Sequence, residues 1–267
     1  MVRIEKNDAV WTVIHSRYDE ARNAMDPDSA DALVAAFAAF DADDSASVAV
    51  LWGEGGAFCA GWDLKYASTL TGAARPLTEI DYPIDPLRPL PRGPLGPTRM
   101  ELSKPVIAAV EGPAVAGGFE LALWCDLRVM ADTAYFGVYC RRWGIPLLDG
   151  GTVRLPRLVG TGRAMDIILT GRKLPAAEAL AIGACERVVA PGQARAAAEA
   201  LAAEIARFPQ ACVRADRRSV YLQHGEPVRD ALRQEWYNGL ECLVKEGVGG
   251  AGRFKGGLGR HGDFSSI

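Results

Sequence analysis

The sequence is poor in histidine, has no closely spaced cysteine pair and contains no long apolar run. Its three histidines, His15, His224 and His261, stand too far apart in sequence to suggest a metal site. Six cysteines (Cys59, Cys125, Cys140, Cys185, Cys212, Cys242) include no C-x-x-C pair. In a chain of this length they read as free thiols in a reducing compartment rather than as a disulfide framework. No segment approaches the roughly 18 apolar residues of a membrane span. The start, Met1 to Asp8, is charged and lacks the apolar stretch of a secretory signal. Lys+Arg number 30 against 33 Asp+Glu, a net charge of −3, so the basic excess typical of nucleic-acid binding is missing too. These absences lead us to expect a cytoplasmic protein that engages neither nucleic acid nor membrane.

What is present is ordinary globular composition: 267 residues, 49% hydrophobic and 24% charged. Those proportions exclude a disordered chain, a collagen-like fibre and a coiled-coil rod. The length allows one large domain or two small ones, with enough core to need no metal or disulfide. Val10–Ile14 is β-rich. Asp26-Pro27 forms a helix cap and first-turn pair, and Leu33, Val34, Phe37 and Phe40 continue at helical spacing to about Asp41. Val48–Trp52 and Val106–Val110 are short continuous apolar runs, the pattern of strands buried on both faces, and Leu127-Arg128-Val129-Met130 is a third apolar run, interrupted by Arg128. A short apolar helix is expected over Phe119–Trp124, between the last two of these. Strands alternating with helices predict an α/β fold. Residues 66–100 carry seven prolines (Pro76, Pro83, Pro86, Pro89, Pro91, Pro94, Pro97), which predicts a long irregular lid. Helical patterns then cover Ala164–Thr170, Ala176–Ile182, Ala194–Arg207 and Val228–Lys245. The division expected is an α/β core over 1–190 and a helical region over 191–267, its glycine-rich tail flexible from about Gly247 and bearing Arg253, Lys255 and Arg260.

Two of the strands end in glycine loops, Gly53 to Gly61 and Gly112 to Gly118. The first has Phe58 where a dinucleotide-binding G-x-G-x-x-G needs its third glycine. The second has the spacing of a phosphate-binding loop but Gly118-Phe119 in place of its Lys-Ser/Thr, which excludes that reading. The loops are then either tight strand-to-helix turns or a pair of backbone N–H donors converging on one developing oxyanion.

The residues of these loops carry a resemblance. Gly56-Ala57-Phe58-Cys59-Ala60-Gly61-Trp62-Asp63-Leu64 is similar to the first signature of the crotonase, or enoyl-CoA hydratase/isomerase, superfamily. Lys104-Pro105-Val106-Ile107-Ala108-Ala109-Val110-Glu111-Gly112 through Gly117-Gly118-Phe119-Glu120-Leu121-Ala122-Leu123-Trp124-Cys125-Asp126 resembles its second. Arg22-Asn23-Ala24-Met25, Phe136-Gly137, Gly150-Gly151-Thr152 and Arg157-Leu158-Val159-Gly160 follow in order, so the likeness spans residues 10 to about 190. The resemblance implies a ClpP/crotonase-like spiral of ββα units with a helical C-terminal trimerisation region, assembled as a homotrimer or homohexamer. It also implies acyl-CoA thioester substrates, with no metal and no cofactor beyond the CoA of the substrate. The backbone N–H groups of Trp62 and Gly117 would form the oxyanion hole. Cys59, Ala60, Asp63 and Leu64 would lie along the CoA, and Arg22 in the loop on its side.

The family's hydratases flank a water with two glutamates. The first matches Glu120, among apolar Phe119, Leu121 and Leu123, a setting that raises a carboxyl pKa toward the useful range. The position of the second falls on Cys140, followed by Arg141 and Arg142. A thiol is mostly protonated at neutral pH and a guanidinium cannot act as a base. Cys140 itself reads as a substrate-side residue or a nucleophile without an identified base. Asp149, three residues before Thr152, matches an aspartate that transfers a proton in the family's dienoyl-CoA isomerases. It reads equally as a buried carboxylate paired with Arg141 or Arg142. The expected activity is enoyl-CoA hydration through a thioester enolate, in fatty-acid or related acyl-CoA metabolism. Isomerisation or other enolate chemistry through Glu120 and Asp149, and a non-catalytic acyl-CoA-binding relative, are the alternatives.

Overall fold

A computed structural model describes residues 1–72, 77–259 and 261. Pro76 of the expected lid, and Arg260 and Gly262 of the expected tail, lie outside the described residues. The strands are β1 (Val2–Asn7), β2 (Val10–His15), β3 (Val48–Gly53), β4 (Val106–Val110), β5 (Pro113–Val115), β6 (Leu127–Ala131), β7 (Tyr135–Gly137), β8 (Lys173–Pro175) and β9 (Arg187–Val189). The helices are α1 (Tyr18–Ala21), α2 (Pro27–Ala42), α3 (Leu64–Thr69), α4 (Gly117–Trp124), α5 (Gly151–Val159) and α6 (Thr161–Thr170). They continue with α7 (Ala176–Ile182), α8 (Ala194–Ala206), α9 (Gln210–Leu222), α10 (Val228–Cys242) and α11 (Val248–Lys255). No helix among the described residues is long and apolar enough to cross a membrane.

A sheet in the order β1-β2-β3-β4-β6-β9 is parallel except for the β1–β2 hairpin, and β5, β7 and β8 form a second, smaller sheet. The period-2 geometry of a strand explains why the sequence runs are continuously apolar. Val13, Leu51 and Ala108 belong to the larger core with Phe37 and Phe40 of α2. The chain neighbours Val50 and Ile107, with Val129 of β6, face the other way, into a second core closed by Ala198, Leu201 and Ala202 of α8. α2 begins where expected: the Asp26 carboxylate accepts from Ser29 N at 2.9 Å, with Pro27 in the first turn. It ends against Lys104, whose buried ammonium donates to the carbonyls of Phe40 (2.9 Å) and Asp43 (2.6 Å) and places a cation at the negative end of the helix.

Several elements differ from expectation. β1 alternates half-buried Val2 and Ile4 with polar residues, an edge-strand pattern concealed by its charge. α8 packs into the sheet, so the helices that stand apart from it begin at α9, not at residue 191. α9 is largely polar and is held by ion pairing and side-chain hydrogen bonds, Arg217 to Asp126 (2.8 Å) and to the Leu102 carbonyl (2.6 Å). The tail expected to be flexible from Gly247 is helical as far as Lys255. α10 runs through a π-helical turn, Leu243–Gly247, into α11, so its glycines extend an existing helix and no new one is nucleated. The lid holds short helical turns, α3 at its start and Thr78–Ile80 and Pro97–Arg99 further on.

One contact sets the separation of the first glycine loop and α4. An added Cβ at Gly118 would lie 2.1 Å from the Cys59 carbonyl oxygen, so only glycine fits where α4 crosses the first loop. Gly118→Ala is expected to cost about 2–3 kcal/mol of stability, read by chemical denaturation, through displacement of this backbone.

Candidate active site

The two glycine loops are stitched together by backbone. Phe58 N donates to Pro113 O at 2.9 Å and Val115 N to Cys59 O at 3.0 Å, which makes a parallel bridge between Cys59 and Ala114. A Cβ on Gly61 would come within 3.1 Å of Gly117 N, so the chain turns at Gly61 and Gly117 meet. From the other side, Met25 N donates to Gly61 O (2.7 Å) and Asp63 N to Met25 O (2.8 Å), pinning the segment that contains Trp62. Ala116 carries a positive φ of 55° with ψ −126°, a strained geometry for a residue with a Cβ. It is held by its N–H donating to Gly137 O (2.7 Å). Among the described residues, the N–H groups of Trp62 and Gly117 make no hydrogen bond.

Both residues line a cleft of about 610 Å³ that is partly open to solvent. Glu120, Asp149, Cys140, Ala60 and Leu64 share its wall. Apolar and aromatic side chains complete it, among them Leu77, Leu95, Tyr139, Trp143 and Ile145. Trp143 is 68% exposed at the rim, and Trp62 packs edge-on against Tyr66 with ring centres 6.1 Å apart. Arg141 donates to the Ile168 carbonyl (2.6 Å) and Arg142 lies over the Tyr139 ring, 4.2 Å from its centre. Neither serves Asp149, so the expected pairing of Asp149 with these arginines does not occur.

Glu120 is 2% exposed on α4. Its Oε1 accepts from Asp149 N (2.9 Å) and Gly151 N (2.8 Å). A Cβ at Gly151 would fall 2.9 Å from Glu120 Cγ, so glycine is required where α5 begins for the carboxyl to be seated. Burial, reinforced by the negative charge of Asp149, pushes the Glu120 carboxyl up to about 7, while the backbone N–H donors of Gly151, Asp149 and Leu148 pull the other way. A carboxyl with that value exists in both protonation states near neutrality. The Cys140 thiol is pushed up by burial and by Glu120, so it stays protonated beside that carboxyl.

Asp149 is 3% exposed. Its Oδ1 accepts from Leu95 N at 3.0 Å and from the Thr98 hydroxyl through a short hydrogen bond. Arg154 donates to the backbone carbonyls of Asp149 and Thr98, each at 2.8 Å. Thr98, Leu95 and Arg154 are site-shaping residues that sequence reasoning missed. Two of them lie in the proline-rich lid, where irregular backbone gives no periodicity to read.

The remaining predicted residues sit outside the cleft wall. Cys59 is fully buried beneath the loop, its sulfur accepting from Gly61 N at 3.3 Å, and burial pushes its thiol up to about 12. Asp63 caps α3, accepting from Lys65 N (2.8 Å), and pairs with Arg17 at 2.8 Å. Arg22 is exposed at the left-handed C-cap of α1. Its neighbour Asn23 is the buried one, donating to the carbonyls of Glu54 (2.8 Å) and Ala57 (2.7 Å) and so bracing the first glycine loop.

This geometry has known relatives. A sequence model described as enoyl-CoA hydratase/isomerase matches residues 5–235. The enoyl-CoA hydratase EchA19 of Mycobacterium tuberculosis is 35% identical over 233 residues, covering 85% of this chain and 82% of that protein. The carnitinyl-CoA dehydratase of Salmonella arizonae is 36% identical over 206 residues, 76% of this chain and 74% of its own. Among solved structures, the enoyl-CoA hydratase EchA1 from Mycobacterium marinum superposes with a TM-score of 0.84 at 33% identity, covering 95% of both chains. The chain belongs to the enoyl-CoA hydratase/isomerase family of the crotonase superfamily, and its fold is the α/β crotonase fold with a helical C-terminal region.

A raised carboxyl pKa in the folded state carries a stability signature. Glu120 favours folding fully only below its unfolded value, and that contribution is lost as pH rises from about 4.5 toward 7. Glu120→Gln, which keeps the acceptor oxygen, removes this loss. The variant is expected to gain roughly 2–3 kcal/mol on the wild type between pH 5 and pH 8 in paired denaturation curves. A pH-independent difference would contradict the assigned environment.

Proposed function

We propose that this chain is an enoyl-CoA hydratase that works through an acyl-CoA enolate, with Glu120 as its principal acid and base. The carrying observation is a carboxyl held near pKa 7 in the same cleft as two backbone N–H groups that make no hydrogen bond. The thioester carbonyl would accept from the N–H groups of Trp62 and Gly117, which stabilise the charge that develops on its oxygen. Glu120 would take a proton from water as oxygen adds at Cβ and return one at Cα. Cys140 stands where the resemblance implies a second glutamate. Its protonated thiol cannot activate water, so hydration rests on a single carboxyl.

A second reading is isomerisation of an enoyl thioester, in which one base, Glu120, moves a proton along the acyl chain and no water needs activation. The apolar wall of Leu77, Leu95, Trp143 and Ile145 suits an uncharged acyl group. Backbone at Ala60 and Leu64, at the cleft, is the proposed CoA-side wall; Cys59 and Asp63 support it from beneath. The proposed chemistry uses this chain's own groups and the CoA of the substrate.

A homotrimer or homohexamer is the proposed assembly. It is supported by the large apolar side chains exposed on α10 and α11, among them Val228 (76%), Trp236 (59%), Tyr237 (67%), Val248 (68%) and Phe254 (60%), a density unusual for a free surface.

Two assays test the reading. Exchange of the α-proton of butyryl-CoA into heavy water reports the enolate, and loss of absorbance of crotonyl-CoA reports hydration. Wild type is expected to perform both, and Glu120→Gln to lose about 10²–10⁴-fold in each. Undiminished rates in the variant would remove Glu120 from the chemistry. Tight acyl-CoA binding with no exchange in wild type would favour a non-catalytic binding protein.

A further inference from the structure

Asp149, buried in the cleft wall, is tethered through its carboxylate to the Gly93–Thr98 turn, by Leu95 N–H and the Thr98 hydroxyl. We infer that Asp149 is a positioning residue: it holds the negative charge of the Glu120–Asp149 pair and clamps the Gly93–Thr98 turn onto the site, leaving the proton to Glu120. The inference rests on the acyl-CoA reading only for its catalytic consequence.

The hydrogen bonds divide the two carboxyls. Asp149 Oδ1 takes Leu95 N–H and the Thr98 hydroxyl, donors that stabilise a carboxylate. Arg99 and Arg154 add attraction from the lid and from α5. Burial raises the Asp149 carboxyl above its ordinary value, and these four partners limit that rise. Glu120 has backbone donors only, from Gly151, Asp149 and Leu148, and faces the anion of Asp149 and the protonated thiol of Cys140; Arg154 attracts both acids. Two carboxyls that share a buried space separate their titrations, and Asp149, which has the attraction of Arg99 beside its two donors, ionises first. Asp149 is thereby the fixed anion, and its field keeps Glu120 protonated toward neutrality.

The clamp is equally specific. The turn closes on itself through Gly93 N to Gly96 O (2.9 Å) and Gly96 N to Gly93 O (3.0 Å). A Cβ on Gly93 would strike Thr98 Oγ1 at 2.0 Å and Asp149 Oδ1 at 2.6 Å. Leu95, held by Asp149 through its N–H, packs so near Gly117 that a Cβ there would meet Leu95 Cδ2 at 2.4 Å. One carboxylate therefore fixes the apolar wall over Gly117 and sets the charge beside Glu120.

Infrared titration of the full-length protein tests the electrostatic half without substrate. The protonated-carboxyl band of Glu120, assigned by its loss in Glu120→Gln, is expected to titrate near 7. In Asp149→Asn the neighbouring anion is gone, so the midpoint should fall by about one pH unit or more. An unmoved or raised midpoint would overturn the inference. Hydrogen exchange tests the clamp: Asp149→Ala should speed deuterium uptake in residues 93–98 at least tenfold, and unchanged uptake would overturn it. The pH–rate profile of butyryl-CoA α-proton exchange in Asp149→Asn should move to lower pH with Glu120's midpoint. A loss of a hundredfold or more at every pH would mean that Asp149 itself transfers the proton, and would also overturn the inference. If wild type exchanges no α-proton, the acyl-CoA reading falls, and the infrared titration still decides the role of Asp149.

Discussion

The carbonyl of Cys59 and the start of α4 approach so closely that no side chain fits at Gly118, and the rest of the site is arranged around that crossing. Because the backbone of the two glycine loops pairs from Phe58 to Val115, the segment through Trp62 and the turn into Gly117 are held in register like neighbouring strands. Their N–H groups are set before any ligand arrives. Such preorganisation is what makes backbone dipoles effective in stabilising charge, since no reorganisation is required as the charge develops. The strain at Ala116 and the buried amide of Asn23 belong to the same construction, one turning the chain and the other bracing it.

The acid chemistry follows from the helix that this crossing anchors. α4 carries Glu120 into an apolar interior, where desolvation alone would leave a carboxyl neutral. α5, entered through Gly150-Gly151, returns two N–H donors to it and brings Asp149 alongside. Two acids in one buried space with different partners separate their titrations. Cys140, protonated and partly apolar, then contributes shape to the cleft and no charge.

Much of the central frame was legible from the sequence because its strands are buried on both faces and its helices are capped by strong local signals. Val48–Trp52 and Val106–Val110 could be little else than interior strands, and Asp26-Pro27 marks the start of α2 within a residue. The elements that escaped notice lack such signals. β5 lies inside what reads as a glycine loop, β7 and β8 are three residues each, and α9 is polar enough to need side-chain ion pairs to hold it. The candidate site was legible to the extent that it resides in motifs. The two loops could be named from their glycines and Glu120 from the family resemblance, whereas Thr98 and Leu95 meet Asp149 across 50 or so residues of sequence, a distance that no local pattern spans. The expectation that Asp149 would pair with Arg141 or Arg142 failed for the same reason, since adjacency in sequence does not fix direction in a turn.

The central claim is that the N–H groups of Trp62 and Gly117 receive one thioester carbonyl with Glu120 beside its α-carbon. A crystal structure with bound butyryl-CoA tests it most directly. The account predicts the carbonyl oxygen about 2.7–3.1 Å from both nitrogens, with the Glu120 carboxyl against Cα. A thioester whose carbonyl lies away from either nitrogen, or whose acyl chain leaves Glu120 out of reach, would contradict it.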